Sequence, residues 1–175
     1  ANNALTGSIP ASYGFLGDLE ILDVHNNRLT GTLPYLIEGT NLEVLDASYN
    51  MLNGSLPGDL FSGYLHYINL DRNYITGQVP NVLNNYATVL RLSHNYLTGS
   101  IEHLSDFRDL DELNVSHNAF TGRLPDPYYM YDLRLFDVSN NKLNGSIPTI
   151  SLLGLLDENS DLQLEYSALQ LQTID

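Results

Sequence analysis

Apolar residues recur along the chain in blocks of the form LxxLxLxxN, where each L stands for an apolar residue. The first block runs from Leu19 through Leu22 and Val24 to Asn27. The five further blocks start at Leu42, Leu65, Ala87, Leu110 and Leu133. Apolar residues two positions apart, such as Leu22 and Val24, lie on the same face of a strand. Each block therefore predicts one short β-strand with one buried face.

A second string, of the form LTGSIP, precedes the first block and follows each of the six blocks. It recurs at steps of 22 to 24 residues, starting at Leu5, Leu29, Leu52, Ile75, Leu97, Phe120 and Leu143. One such unit cannot bury its apolar face alone, whereas stacked units form a continuous core. The period thus predicts a solenoid built from parallel strands.

Three polar or special residues in each repeat have a predicted structural role. The Asn that ends each block can satisfy backbone groups of the adjacent turn with its amide. The Gly of each string indicates a positive φ or a close backbone approach. The Pro follows where no ladder hydrogen bond needs its missing N–H. We therefore expect an asparagine ladder formed by Asn27, Asn50, Asn73, Asn95, Asn118 and Asn141.

Together the two strings, LxxLxLxxNxLTGxIP, resemble the plant-type leucine-rich repeat from Asn3 to about Leu169. The resemblance implies an α/β-type solenoid. This is a right-handed superhelix with short parallel β-strands on the concave face and loops and 3-10 turns on the convex face. We divide the chain into an incomplete first coil (1–18), six full repeats (19–148) and a degenerate C-terminal capping coil (149–175). In the last coil Leu162 and Leu164 keep the strand spacing, and Ser167 replaces the Asn.

The ends depart from the pattern of secreted members of the family, which usually carry cysteine-paired caps and a Trp in the N-terminal cap. This chain has no Cys and no Trp. Its first string, at Leu5, lacks the strand block that should precede it. We expect the chain to be a segment of something longer, with a further chain or a partner at the open N-terminal end.

The candidate ligand surface lies on the outward-facing columns of the strands and on the turn that follows each strand. Most residues in these columns match the family consensus, and the departures from it concentrate in the middle repeats. The predicted ligand-binding residues are Tyr49, Tyr67, Asp71, Arg72, Arg91, His94, Glu112 and His117. In this interpretation the two arginines pair with acidic groups of the ligand. Cross-strand pairs between Asp71, Arg91 and Glu112 are the structural alternative.

Two further clusters have candidate chemistry. His94 and His117 should be neighbours in the turn column, where a pH-sensitive contact or two exposed histidines without a role are the alternatives. A zinc site would need a third ligand, which the sequence does not supply. Asp23 beside Asp46 is either a site for a hard cation or a solvated consensus pair. We predict no metal and no cofactor.

Pro127 opens a tyrosine-rich segment on the predicted convex side. The repeat spacing assigns Tyr128 and Tyr131 to core positions and leaves Tyr129 and Met130 exposed. Aromatic residues and Met are enriched at partner surfaces, so this pair is either a partner patch or part of the loop packing.

Three Asn-x-Ser acceptor sequons for N-glycosylation begin at Asn53, Asn114 and Asn144. Two of them arise because Asn replaces Thr in the LTGS string. They matter only if the chain enters a secretory lumen.

The net charge restricts the partners. Among 175 residues, Lys and Arg number 7 and Asp and Glu 21, so the formal net charge is -14. Phosphate binding depends on Lys and Arg, so nucleic acid and anionic membranes are excluded and a basic partner is favoured. The longest apolar stretch, 150–156, is far shorter than the roughly 20 residues of a transmembrane helix.

Three functions remain. The regular coils contain no nucleophile elbow, phosphate loop or metal-ligand spacing, so we predict no enzyme. The resemblance to receptor ectodomains and secreted inhibitor-type proteins implies a protein or peptide recognition module, either extracellular or membrane-anchored. A structural subunit of a larger assembly, for example in an organelle lumen, is the first alternative. Binding to ice or a mineral surface is the second, and it rests on the row Thr6, Thr30, Asn53, Thr76, Thr98, Thr121 and Asn144.

Overall fold

A computed structural model describes residues 1–36, 39–61, 63–81, 86–146 and 163–165. These residues form a β-solenoid in which successive coils contribute strands to two parallel sheets, one of seven strands and one of six. The solenoid predicted from the repeat is therefore confirmed.

The six LxxLxLxxN blocks and the last coil form the seven-stranded sheet. Its members are β2 (Ile21–Asp23), β4 (Val44–Asp46), β6 (Tyr67–Asn69), β8 (Val89–Arg91), β10 (Glu112–Asn114), β12 (Leu135–Asp137) and β13 (Gln163–Glu165). Equivalent positions of neighbouring repeats face each other, as in the pairs Leu22–Leu45 and Leu45–Ile68. The middle residue of each strand from β2 to β12 is buried. The columns expected from the repeat are thus real columns of the sheet.

The second sheet is formed by the LTGS strings, which we expected to be turns. Its strands are β1 (Thr6–Gly7), β3 (Arg28–Gly31), β5 (Met51–Ser55), β7 (Tyr74–Gly77), β9 (Tyr96–Ser100) and β11 (Ala119–Thr121). Its register is staggered by two residues per strand, since Thr30 pairs with Met51 rather than with the equivalent Asn53. The string has the alternation of a half-buried strand, as shown by buried Leu52 between exposed Met51 and Asn53. This alternation explains why the string is extended.

Among the described residues, three 3-10 helices lie in the segments that return from the second sheet to the first: Ala11–Phe15, Glu102–Asp106 and Pro127–Tyr129. They agree with the 3-10 turns that the family resemblance implied. The core between the sheets and these returning segments is a continuous row of apolar side chains, in which Leu45, Ile68 and Leu90 are completely buried.

The asparagine ladder is confirmed. Oδ1 of Asn50 accepts a hydrogen bond from the backbone N–H of Leu29 in the preceding coil, at 2.9 Å. Its Nδ2 donates to the carbonyl oxygens of Val24, Ala47 and Ser48 at 3.0 to 3.2 Å. The full set of four bonds recurs at Asn73, Asn95, Asn118 and Asn141. Asn27 accepts from the N–H of Leu5 and donates to carbonyls of its own coil. Each amide therefore satisfies buried backbone groups of its own coil and of the coil before it.

The glycines of the strings adopt the positive φ that the sequence predicted, between 75° and 94°. A second set of left-handed residues was not predicted. It contains the residue directly before each ladder asparagine: Asn26, Tyr49, Arg72, His94, His117 and Asn140. Each has a φ between 51° and 54°. We call these six residues the turn row. Their N–H groups are used, since that of Tyr49 donates to the carbonyl of Asp71 in the next coil.

The tyrosine-rich segment corrects the prediction. Met130 is completely buried, whereas Tyr128 and Tyr131 are 51% and 73% exposed. A 3-10 helix has three residues per turn, so residues three apart share a face. Pro127 and Met130 share the buried face, as Leu104 and Phe107 do at the neighbouring helix. Because Met130 is buried, it cannot belong to the predicted exposed patch of Tyr129 and Met130. The side chain of Tyr129 lies outside the described part of the structure.

Two smaller corrections concern the strand blocks. The repeat pattern places the residue two positions before each ladder asparagine on the outward-facing side. The serines at this position are instead buried: Ser48, Ser93, Ser116 and Ser139. In the last coil Leu164, not Leu162, pairs with Phe136, so the register is two residues away from the predicted spacing. The rest of the capping coil, including Ser167, lies outside the described residues.

Candidate ligand-binding surface

The solvent-facing side of the seven-stranded sheet presents the first and third residue of each short strand. In the middle of the sheet these positions hold Tyr67 on β6, Arg91 on β8 and Glu112 on β10. Because the three strands are neighbours in the order β10-β8-β6, the side chains lie on adjacent strands. The structure thus brings these predicted residues together.

Arg91 and Glu112 form a two-pronged ion pair. Nε of Arg91 donates to Oε1 of Glu112 at 2.8 Å, and the terminal guanidinium nitrogen donates to Oε2 at 2.7 Å. The hydrogen bonds to Glu112 raise the pKa of Arg91 above its usual value. Such paired bonds fix the guanidinium plane. Arg91 is therefore already matched to a carboxylate, and an acidic ligand would have to displace Glu112 to reach it.

Asp71 lies beside this pair, at the end of β6. One of its carboxylate oxygens accepts a hydrogen bond from the backbone N–H of Ser93. Burial raises the pKa of Asp71, although the bonds from Ser93 and the charge of Arg91 act in the opposite direction. Asp71, Arg91 and Glu112 together give the centre of the face a negative rather than a positive balance.

The turn row borders this face and stacks its planar side chains from coil to coil. The Arg72 guanidinium carbon lies 5.4 Å from the ring centroid of Tyr49. The rings of His94 and His117 are stacked with centroids 4.0 Å apart and an interplanar angle of 9°. Nδ2 of Asn140 lies 3.1 Å from Nε2 of His117. The predicted neighbourhood of the two histidines is confirmed.

The pKa of His94 is lowered from its ordinary value. Burial is the first cause, and the charges of His117 and Arg72 add to it, while Asp137 acts in the opposite direction. The lowered pKa favours the neutral form of His94, so Arg72 is the permanently charged group beside it.

Two tyrosine pairs were missed by the sequence reasoning. The rings of Tyr64 and Tyr86, in the segments that lead into β6 and β8, stack at 6.3 Å between centroids. Those of Tyr74 and Tyr96, on the six-stranded sheet, stack at 6.1 Å. The sequence contained a signal for both pairs, because no other repeat has an aromatic residue at these positions. The positions equivalent to Tyr64 and Tyr86 hold Asp18, Asn41, Asp109 and Asp132. Those equivalent to Tyr74 and Tyr96 include Arg28, Met51 and Ala119.

The two aspartates considered as a cation site face each other across β2 and β4. Their oxygens accept hydrogen bonds within their own coils, and Oδ2 of Asp46 also accepts one from Nδ2 of Asn69 in the next coil, at 3.2 Å. Asp23 accepts from the N–H of His25, and Asp46 accepts from the N–H and Oγ of Ser48. Over the described ranges, no three His, Cys, Asp or Glu residues are grouped so that they could hold a metal ion.

The three sequons differ in environment. Asn53 and Asn144 are exposed. Asn114 is partly buried, and its Oδ1 accepts hydrogen bonds from the N–H and Oγ of Ser116. Glycosylation at the three asparagines stays a prediction. Among the described residues, no helix has the length and apolar character needed to cross a membrane.

The family model described as Leucine Rich Repeat matches residues 18–39, 41–62, 64–86 and 132–152. Together these ranges cover just over half of the chain. Among curated proteins, Receptor-like protein 7 of Arabidopsis thaliana is 53% identical over 38 residues, which are 22% of this chain and 4% of that protein.

Solved structures resemble most of the chain. That of the plant peptide hormone receptor RGFR1 in complex with RGF2 has a TM-score of 0.80 and 32% identity, over 87% of this chain and 25% of that chain. That of PEPR1-AtPEP1 has a TM-score of 0.81 and 34% identity, over 87% and 22%. A plant ice-binding protein has a TM-score of 0.58 and 27% identity, over 83% and 56%. The chain thus spans about a quarter of the length of the two receptor chains.

Proposed function

Because the chain belongs to the leucine-rich repeat family, we propose that it is a non-catalytic recognition module that binds a peptide or protein on the solvent-facing side of its seven-stranded sheet. The centre of the surface is formed by β6, β8 and β10. The resemblance to two receptor structures that are complexes with RGF2 and AtPEP1 supports a peptide as the ligand.

The observation that carries the proposal is the loss of repetition on these three strands. Positions that serve only the stacking of coils keep the same residue, as the asparagine ladder does. The outward positions instead hold Tyr67, Arg91 and Glu112 on consecutive strands, with the Tyr64–Tyr86 pair beside them. Aromatic residues and Arg are the types enriched where proteins bind partners.

The charge of the face favours a cationic group on the ligand. Arg91 is paired with Glu112, so the carboxylate of Asp71 and the outer lone pairs of Glu112 are the charged groups left to attract a partner. Tyr67 adds a ring that can stack with a Lys or Arg side chain. We therefore propose a peptide with at least one basic residue.

Selection from a random peptide library displayed on phage tests this site. Peptides selected on the wild-type chain should bind Tyr67→Ala and Glu112→Gln about tenfold more weakly, as expected for a central interface residue. Tyr128→Ala, which removes an exposed tyrosine ring from a 3-10 helix elsewhere on the chain, is the control and should leave binding unchanged. Equal binding by all four proteins, each shown to be folded by circular dichroism, would rule out this face.

We further propose that the chain works outside the cytoplasm, in an extracellular or membrane-anchored ectodomain. The similarity to Receptor-like protein 7 and to peptide hormone receptors supports this placement. In the native host, Asn53→Gln and Asn144→Gln should each remove a shift in gel mobility that a glycan-releasing enzyme also removes. Two unglycosylated asparagines in a protein recovered from the cytoplasm would contradict the placement.

A second candidate is binding to an ice surface. It is favoured by the resemblance to a plant ice-binding protein and by the exposed Thr row on the six-stranded sheet. It ranks second because hydroxyl groups of the row are used internally. That of Thr76 donates to the carbonyl of Gly54 at 3.2 Å, and that of Thr98 to the carbonyl of Gly77 at 3.1 Å. Thermal hysteresis in the micromolar range of protein would promote this candidate, and its absence would remove it.

A further inference from the structure

The turn row places cationic and protonatable groups on three successive coils. Arg72, His94 and His117 occupy the same position of neighbouring repeats, next to strands about 4.8 Å apart. Each backbone is left-handed, with φ between 52° and 54°. Non-glycine residues rarely adopt this conformation. Because all three residues share it, their side chains leave the backbone in the same direction along one edge of the sheet.

Arg72 is held in place without being neutralised. Its guanidinium lies over the ring of Tyr49, at 5.4 Å from the centroid. No carboxylate of the described residues forms an ion pair with it, in contrast to Arg91 and Glu112. A positioned guanidinium offers a planar fork of donors that fits an anionic oxygen group.

His117 lies close enough to His94 to oppose the protonation of His94. Their rings stack at 4.0 Å, and Asn140 fixes one nitrogen of His117. The charged groups that face His94 are Arg72 and His117, which disfavour its protonation, and Asp137, which favours it. An anion bound along the row would remove the repulsion between the three positive groups.

We infer that the turn row binds an anionic oxygen group of the ligand, a carboxylate or a tetrahedral ester, through Arg72, His94 and His117. This inference extends the proposed function and depends on it in one respect, which is that a peptide ligand carries the anionic group. The ligand is then two-ended, with a basic part on the sheet and an acidic part on the turn row. Because an anion favours the protonated imidazoles, binding takes up protons and strengthens as the pH falls.

Histidine Cε1–H signals in proton NMR test the inference on the full 175-residue chain. The chain has five histidines, so His25, His66 and His103 are internal controls. Each signal is titrated from pH 5 to 8 in sodium sulfate, sodium acetate and sodium chloride at equal ionic strength. Sulfate or acetate should raise the pKa of His94 and His117 relative to chloride and leave the other three unchanged. A larger effect of sulfate indicates a tetrahedral group, and a larger effect of acetate a carboxylate.

Two variants locate the site. Arg72→Gln should lower the affinity of the turn row for the anion about tenfold, which is the loss expected for a charge-assisted hydrogen bond. Arg134→Gln removes the same charge from an exposed position elsewhere and should change nothing. Equal responses in all three salts, or in all five histidines, would show ionic screening alone and overturn the site. The phage selection does not depend on these residues, so the sheet surface and the turn row can fail separately.

Discussion

At the residue scale, the ladder asparagines and Asp71 show two different consequences of burial. Asn73 is buried and makes four hydrogen bonds, through Oδ1 to the N–H of Leu52 and through Nδ2 to the carbonyls of Ala47, Leu70 and Asp71. Its burial therefore costs little. Asp71 is also largely withdrawn from water, but it carries a charge, and its pKa is raised as a result.

Replacement of Asn73 by Ala should lower the free energy of unfolding by about 3 kcal/mol, because it leaves a buried N–H and several carbonyls without partners. Asn41→Ala, at an exposed position, is the control and should cost less than about 0.5 kcal/mol. Urea denaturation followed by circular dichroism measures both. If the two variants unfold at the same urea concentration, the ladder does not stabilise the fold.

Asp71 gives a pH-dependent prediction. The pKa of Asp71 in the folded protein is raised above its usual value of 3.8, so the stability linked to its protonated form is present below pH 3.8 and is lost as the pH rises through the raised value. The free energy of unfolding of the wild type minus that of Asp71→Asn should therefore fall over this window. Asp46→Asn, on the next strand, is the comparison. A difference that rises with pH would mean that Arg91 and Ser93, not burial, dominate.

At the element scale, the phase of a 3-10 helix decides which residues of the tyrosine-rich segment are in the core. The helix Pro127–Tyr129 is capped by Asp126, whose Oδ1 accepts from the N–H of Tyr128 at 3.1 Å. With three residues per turn, Pro127 and Met130 face inward. The same chain read with the period of the leucines would place Tyr128 and Tyr131 there.

The two readings differ in a measurable way. Met130→Ala should cost about 3 kcal/mol, because it leaves a cavity in a fully packed position. Tyr131→Ala should change the free energy of unfolding by less than about 0.5 kcal/mol, since the ring is exposed. Thermal or urea unfolding of both variants is sufficient. A larger loss for Tyr131→Ala would restore the sequence-based placement.

At the scale of the whole molecule, each coil contacts mainly the coil before it and the coil after it. The strand order β12-β10-β8-β6-β4-β2 follows the chain, and the register between neighbouring strands is constant. Stability in such a solenoid is close to a sum over coils and their interfaces. The candidate surface lies on the central coils, which have neighbours on both sides.

Amide hydrogen exchange should therefore be slowest in β8 and faster in β2, which is the edge of its sheet among the described strands. Leu90→Ala, in the middle of the core, should speed exchange in β6 and β10 more than in β2, because coupling falls with distance along the solenoid. Exchange followed by mass spectrometry on peptic fragments measures these rates. Equal acceleration in all strands would show that the chain unfolds as a single unit.

The sequence by itself determined the solenoid, the register of the seven-stranded sheet, the asparagine ladder and the positive φ of the string glycines. It could do so because these features join equivalent positions of adjacent repeats, and a fixed period of 22 to 24 residues states which positions are equivalent. It also identified Tyr67, Arg91 and Glu112 as candidate binding residues, since a departure from a repeated residue is visible in one chain.

Only the tertiary structure decided the features that depend on the path between equivalent positions. The stagger of the six-stranded sheet places Thr30 opposite Met51, and the 3-10 phase buries Met130. The pairing of Arg91 with Glu112 satisfies a guanidinium group that the sequence left available to acidic groups of a ligand. In each case the outcome is set by side-chain reach and by the local turn of the backbone, which vary within a constant period. The repeat therefore determines the order and register of the coils, and the packing between coils determines the shape and the charge distribution of their surface.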